Sequence, residues 1–429
     1  MRKSLFIALA VLFSSCTNED TISYLLNNNN ETLQQDECKR SFEEALEIAN
    51  QSIGMFDSSE TRSASSQRKI SLKDTKYVIK ESLARSSGQD TLMYIFNFEN
   101  NEGFSIISAN KATDALLLQT EQGTYDDNTR LENPAFDMYM DMAESYLSDA
   151  NGIPSLPPTP PDEEFRVTID TVETTYIGPK ISTKWGQTGY EATYTPNGYS
   201  GCSNTAMAQV MSYFCHPTQI AINYPGATIS SLTLNWQSIK SHKVTHVKQT
   251  CNAGSYTHDA IGHLHRQLGH LNYATYNPNR TPTSLINARN TFSMMGYSVS
   301  DFIPYSEDDF TLRLSDNYLY IMQGTHQDGT NTGTHAWVID GSLKYKTITR
   351  EWTKSSIPGA DWVVIREYPP HYSEYHHINW GWDGNCNGFF NAGVFATNMA
   401  MNYDNKGNLY NNTTNQNYQY DIYYFRVKK

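Results

Sequence analysis

From residue 76 to residue 123 the chain alternates short apolar runs with Gly, Asp and Asn punctuation. "KYVIKESL" (76–83), "TLMYIFNFE" (91–99), "GFSIISAN" (103–110) and "ALLLQTEQG" (115–123) are rich in β-branched and aromatic residues, the pattern of an antiparallel meander. Helical periodicities flank it. "SFEEALEIANQS" (41–52) reads as a short amphipathic helix, and over 133–150 Phe136, Tyr139, Met140, Ala143 and Leu147 share one face of a 3.6-residue period. The pattern predicts a small α+β unit over 41–152.

"IPSLPPTPPDEEF" follows, with prolines at 154, 157, 158, 160 and 161. Proline lacks the backbone donor that helices and sheets need, so an extended, exposed, protease-sensitive linker is expected over 153–175. Beyond it the texture turns aromatic and Gly-rich. Ala206, Met207, Val210, Met211 and Phe214 form an apolar stripe that predicts a helix from Cys202 to Phe214, closed by Pro217. Strands are expected at 318–323, 335–341, 362–367 and 375–380, making a second α+β unit over 176–429.

A length of 429 residues suits two domains, and 38% hydrophobic residues suffice for both cores. Formal charge is −13, with no basic block beyond the first residues, which argues against nucleic acid or anionic lipid as a partner. Arg2 and Lys3, the apolar run 5–13, and then Ser14-Ser15-Cys16 follow the order of a secretory signal. The ending resembles a bacterial lipoprotein signal, in which Cys16 is acylated; an ordinary signal peptide with an incidental cysteine is the other reading. The polar, Asn-rich 17–40 would be the tether. The other cysteines are Cys38, Cys202, Cys215, Cys251 and Cys386, in no zinc-like spacing. Pairing among Cys38, Cys215, Cys251 and Cys386 stays open.

The candidate chemistry centres on "NGYSGCSNTAMAQVMSYF" (197–214). A thiol becomes a nucleophile when a helix N-terminus and a positive partner favour its anion, and Cys202 opens a helix after a Gly-rich turn. Alone, such a cysteine is more often inert packing. "GTHAWVIDGS" (333–342) sets His335 at the head of an apolar strand. "HHINWGWDGNCNGFF" (376–390) offers Asn379 to orient an imidazole and Trp380 to cover that contact; an aromatic core corner or a sugar-stacking platform are its other readings. His258, His263, His265 and His270 cluster, but His263 and His265 would point about 200° apart on a helix, so no metal site is assigned.

In order, "TKWGQTGY" (183–190), Gly201-Cys202 with Ala208-Gln209-Val210-Met211-Ser212-Tyr213, His335 to Gly341, and Asn379 to Gly384 resemble the streptopain-like cysteine peptidases, a papain-fold family of bacterial secreted enzymes. "MYIFNFENNEGFSIISANKATDALLLQTEQGTYDD" is similar to that family's inhibitory propeptide. Ser203 and Asn204 stand where the family has small apolar residues, Thr334 where it commonly has Gly, and the stretch 343–375 is longer than in streptopain itself. The resemblance implies an α+β papain-like peptidase domain behind an inhibitory prodomain. It implies Cys202 as nucleophile, His335 as base, the Cys202 N–H and Gln187 amide as oxyanion donors, Trp380 as shield and Asn379 as orienting residue, a role a backbone oxygen fills as well.

The resulting expectation is a secreted or lipid-anchored cysteine endopeptidase, made as a zymogen and activated by cleavage between roughly 150 and 180. Its partners would be protein or peptide substrates and its own prodomain, with no cofactor, no metal, no nucleic acid and a membrane only through Cys16, the enzyme being monomeric. A catalytically silent surface adhesin or glycan-binding protein with the same fold is the alternative.

Overall fold

The computed structural model describes residues 39–57, 68–80, 90–149 except 112 and 127, 163–241, 256–305, 310–328, 331–355, 359–395 and 421–429. The expected leader with Cys16, the tether up to residue 38, and the prolines at 154–161 lie outside these residues.

The meander is present as Lys76–Lys80, Asp90–Asn97, Phe104–Ser108 and Leu116–Thr120, each antiparallel to the next. Its last strand does not end the sheet. Leu116–Thr120 pairs with Gly388–Asn391, with Leu118 opposite Phe390 and Thr120 opposite Gly388. From there the sheet runs through His371–Asn379, Asn331–Ser355, Leu319–Asp328 and Asp421–Lys428, so both units share one sheet, of thirteen strands among the described residues. Residue 388 must be glycine for this join, because a Cβ there would lie 2.2 Å from the Gln119 carbonyl oxygen.

Successive residues of a strand face opposite sides of a sheet, and each side of the join carries one helix of the N-terminal unit. Phe389 stacks on Phe56 of the helix Phe42–Asp57, ring centroids 4.8 Å apart. Phe390 meets Tyr139 of the helix Pro134–Asp149, also at 4.8 Å. That second helix also reaches the histidine strand: Met138 packs where a Cβ on Gly324 would sit, beside Trp337, and Gly324 is the cross-strand partner of His335.

The helix Cys202–Phe214 forms over the span its apolar periodicity predicts, but it is buried all round rather than along one stripe. Ser203, Asn204, Thr205, Gln209 and Ser212 are all interior. Burying such groups is tolerable when they are bonded. The Asn204 amide donates to the Ser200 carbonyl at 2.7 Å and accepts from Asn272 at 2.8 Å, while Thr205 donates to the Gly186 carbonyl at 3.0 Å.

The expected 153–175 linker needs correction. Residues 163–177 form the strand Glu163–Ile177, antiparallel to Asn331–Ser355 from Ser342↔Ile177 to Ser355↔Glu163. With Val363–Glu367 on the other side, the described strands of the long 343–375 stretch form a β-ribbon extending the sheet. The Thr-, Val- and Ile-rich "VTIDTVETTYI" carries strand propensity, and its partner lies far ahead in the chain, which is why the neighbouring prolines dominate a local reading.

Two carboxylates of the N-terminal unit are held by histidines of the C-terminal unit. Asp114 accepts from His371 Nε2 at 2.8 Å, Ser373 at 2.9 Å and Asn391 at 2.9 Å. Glu121 accepts from His377 Nε2 at 3.2 Å and from Lys184 at 3.0 Å, and His377 Nδ1 meets Asp340 at 2.5 Å. Burial alone would discharge these groups. For His377 the flanking carboxylates, Asp340 foremost, outweigh it and push its pKa up to about 9; for Glu121 the His377 contact outweighs it and holds the carboxyl far below its usual range.

The pH dependence follows from these shifts. The His377 contribution is complete below the ordinary pKa of 6.5 and is lost as pH rises through about 9. That of Glu121 is complete above 4.5 and is lost only far on the acid side. The melting midpoint of the full chain should therefore fall as pH rises from 6.5 towards 9. His377→Gln should cost about 3 kcal/mol, the lower end for breaking a buried pair, and flatten that alkaline slope; a wild-type midpoint constant from pH 6.5 to 9 would contradict this.

Candidate active site

Gly201 caps the buried helix at φ +90°, a conformation that suits glycine, and a Cβ there would sit 2.5 Å from the Thr281 carbonyl oxygen. The turn therefore delivers Cys202 as the first helical residue, where unpaired N–H groups and the helix dipole favour an anion by about 0.3–1 kcal/mol. His335 comes from the strand Asn331–Ser355, fixed in register by Gly324 across the ladder. The two side chains meet.

Burial raises the pKa of the Cys202 thiol, but the His335 charge and its hydrogen bond to the sulfur, the Ala336 backbone N–H and the Ser203 hydroxyl together bring it below the ordinary thiol value. The imidazole thus favours the thiolate. His335 Nε2 donates to the Trp380 carbonyl at 2.9 Å, which leaves Nδ1 for the sulfur.

The residues expected to flank the histidine are rearranged. Asn379 does not orient it: the Asn379 amide donates to the Thr183 carbonyl at 3.0 Å and accepts from the Gly381 N–H at 3.2 Å, bracing the corner that presents the Trp380 carbonyl. Nor does the Trp380 ring shield it. That indole packs on Trp337 at 5.2 Å and on Phe390 at 5.1 Å, in the core. The rings that stack on His335 are Trp382, centroids 6.0 Å apart and 26° from parallel, and Trp337, at 6.4 Å and 13°. A two-residue difference along "NWGWDG" is a difference of place in a tight turn, which local sequence does not resolve.

Gln187 lies beside the nucleophile turn, its carbonyl accepting the Ser200 N–H at 2.8 Å. Its half-buried side-chain amide has no protein partner among the described residues. Thr334 is exposed, and strand alternation points it away from the face that carries His335. Ser203, a departure from the family pattern, is a missed contributor: its hydroxyl bonds the Cys202 sulfur. Its position next to the cysteine was the available signal.

Cys215 and Cys386 are free thiols, while Cys38 and Cys251 lie outside the described residues. Burial pushes Cys386 up to about 12, making it inert. The histidines of the helix Tyr256–Leu271 are packing groups: His258 stacks on Tyr190, His263 on Tyr194, and His265 bonds the Ile261 carbonyl at 2.9 Å.

A lowered-pKa cysteine at a helix N-terminus, facing an imidazole held by a backbone carbonyl within an α+β frame, defines a papain-like thiol hydrolase site. Residues 185–390 match the Peptidase C10 family and residues 30–146 the Spi protease inhibitor family. These matches span most of the chain, which belongs to the streptopain-type C10 cysteine peptidases and carries its inhibitor as an N-terminal prodomain. Among solved structures, a Prevotella intermedia prointerpain A fragment is 17% identical, covering 82% of this chain and 98% of its own, with TM-score 0.46. Active interpain A cysteine protease from the same organism is 16% identical, covering 59% and 94%, with TM-score 0.36. No curated protein matches.

The Gly201 geometry generates a test. Gly201→Ala must move the turn away from Thr281, displacing Cys202 at a strain cost of about 1–3 kcal/mol. The processed variant should lose at least about tenfold in kcat/KM, since misplacements of about 1 Å cost up to about a hundredfold; wild-type turnover of a peptide substrate would contradict the account.

Proposed function

We propose that this peptidase is an endopeptidase in which Cys202 attacks the scissile carbonyl. His335 holds the thiolate, protonates the leaving amine and then activates water to release the acyl group from its thioester. The observation that carries this is the Cys202–His335 couple, which lowers the thiol pKa despite burial. The Cys202 N–H and the Gln187 amide would receive the oxyanion, with Trp382 covering the imidazole and the Trp380 carbonyl keeping its tautomer.

The roles of the flanking segments belong to the same proposal. Residues 1–16 serve as a lipoprotein-type export signal acylated at Cys16, 17–40 as the tether, and the enzyme works as a monomer in the cell envelope or outside the cell. The activating cut falls ahead of residue 163, since proteases take extended, unpaired chain and the strand from Glu163 is paired along its length.

Two outcomes are expected. Gln187→Ala in the processed enzyme should lower kcat by about 10²–10³ with little change in KM, as for loss of an oxyanion donor; a rise confined to KM would remove Gln187 from that role. Cys202→Ala should stay at full length where wild type matures, with the wild-type N-terminus read by sequencing at or before 163. Equal maturation would refute self-processing, and an N-terminus within 164–177 would refute the cleavage placement.

A further inference from the structure

Gly186, one residue ahead of Gln187, is held from three sides. Its carbonyl accepts the Thr205 hydroxyl of the nucleophile helix at 3.0 Å, and its N–H donates to Glu191 Oε1 at 3.3 Å. Its α-carbon is covered by Asp383, whose Oδ1 lies 2.4 Å from where a Cβ on Gly186 would be. Asp383 follows Trp382 directly and holds a left-handed backbone, φ +54°. Two carboxyl groups from separate turns therefore press on one glycine, between the segment carrying Gln187 and the turn carrying a ring that stacks on His335. Glu191 is 1% exposed.

We propose that Glu191, in its protonated form, is a positioning residue: it clamps the Gly186–Gln187 segment against the Trp382–Asp383 turn, and its ionisation opposes two carboxylates across Gly186 and loosens both. Its catalytic consequence rests on the assignment of Cys202, His335 and Gln187 above. Burial first, and then the Asp383 charge, push the Glu191 pKa up to about 8 against the Glu191 and Gly186 N–H groups, which favour the carboxylate, so the carboxyl stays protonated at neutral pH.

The other ionisable groups on the packed elements are engaged elsewhere. His258 stacks on Tyr190, Asp259 accepts from the Tyr194 hydroxyl at 2.9 Å, and His263 bonds the Tyr224 hydroxyl. His265 is held neutral by burial, Arg266 donates to Tyr276, and Lys184 pairs with Glu121. Asp383 is the charge that bears on Glu191. The folded chain holds a proton that the unfolded chain releases near 4.5, so stability is lost as pH rises from there through about 8.

Tryptophan fluorescence of the full-length Cys202→Ala protein, titrated across pH 8, tests the clamp without needing turnover. An emission change with its midpoint near pH 8 is expected, absent when Glu191→Gln is added and shifted to lower pH when Asp383→Asn is added instead. No transition, or the same transition in all three proteins, would overturn the proposal. In the processed enzyme, Glu191→Gln should move the alkaline limb of kcat, rather than KM, to higher pH; an unmoved limb would also overturn it. Fluorescence behaving as expected in a chain without Cys202-dependent activity would instead sink the catalytic assignment and leave the clamp standing.

Discussion

A sulfur anion can exist in a desolvated groove only where positive charge and hydrogen-bond donors replace the water it has lost. At Cys202 the replacements are the His335 ring, the Ala336 N–H, the Ser203 hydroxyl and the helix terminus, and they outweigh burial. Most of the fold around the site serves this meeting of two residues distant in sequence. The helix that begins at Cys202 runs through the core with Asn204 and Thr205 of its first turn bonded to neighbouring loops, so that turn cannot drift. The histidine is fixed by ladder register on one side and the Trp380 carbonyl on the other.

The prodomain engages the enzyme by extending its sheet, with Leu116–Thr120 paired to Gly388–Asn391 and one prodomain helix on each face of the join. Met138 carries that contact to Gly324, opposite His335. Inhibitor and catalytic strand therefore belong to one continuous structure. Asp114 and Glu121 fasten it through His371 and His377, which makes the hold of the prodomain sensitive to pH through groups other than those of the catalytic couple. Departure of the prodomain leaves the Gly388–Asn391 edge unpaired and Lys184 without Glu121.

Much of this was legible in the sequence where the determining forces are local. The meander, the two prodomain helices and the helix beginning at Cys202 follow from periodicity and Gly/Pro punctuation, and the motif order singled out the cysteine and histidine whose side chains meet. What escaped was non-local. The strand Glu163–Ile177 exists through its partner in Asn331–Ser355, and the joining of two sheets at Gly388 leaves no mark in either stretch alone. Within "NWGWDG" the sequence left open whether Asn379 or a backbone oxygen holds the imidazole: the turn puts Trp382 over the ring, the Trp380 carbonyl against Nε2, and Asn379 behind it as a brace.

The ion pair between Cys202 and His335 is most directly tested by the rate at which a small alkylating agent modifies Cys202 in the processed enzyme as pH is lowered. Labelling that stays fast well below the ordinary thiol pKa of 9, and reverts to the profile of a simple thiol in His335→Ala, is the predicted result. Labelling that follows the ordinary thiol titration in both proteins would show that sulfur and imidazole do not share charge, and would contradict the account.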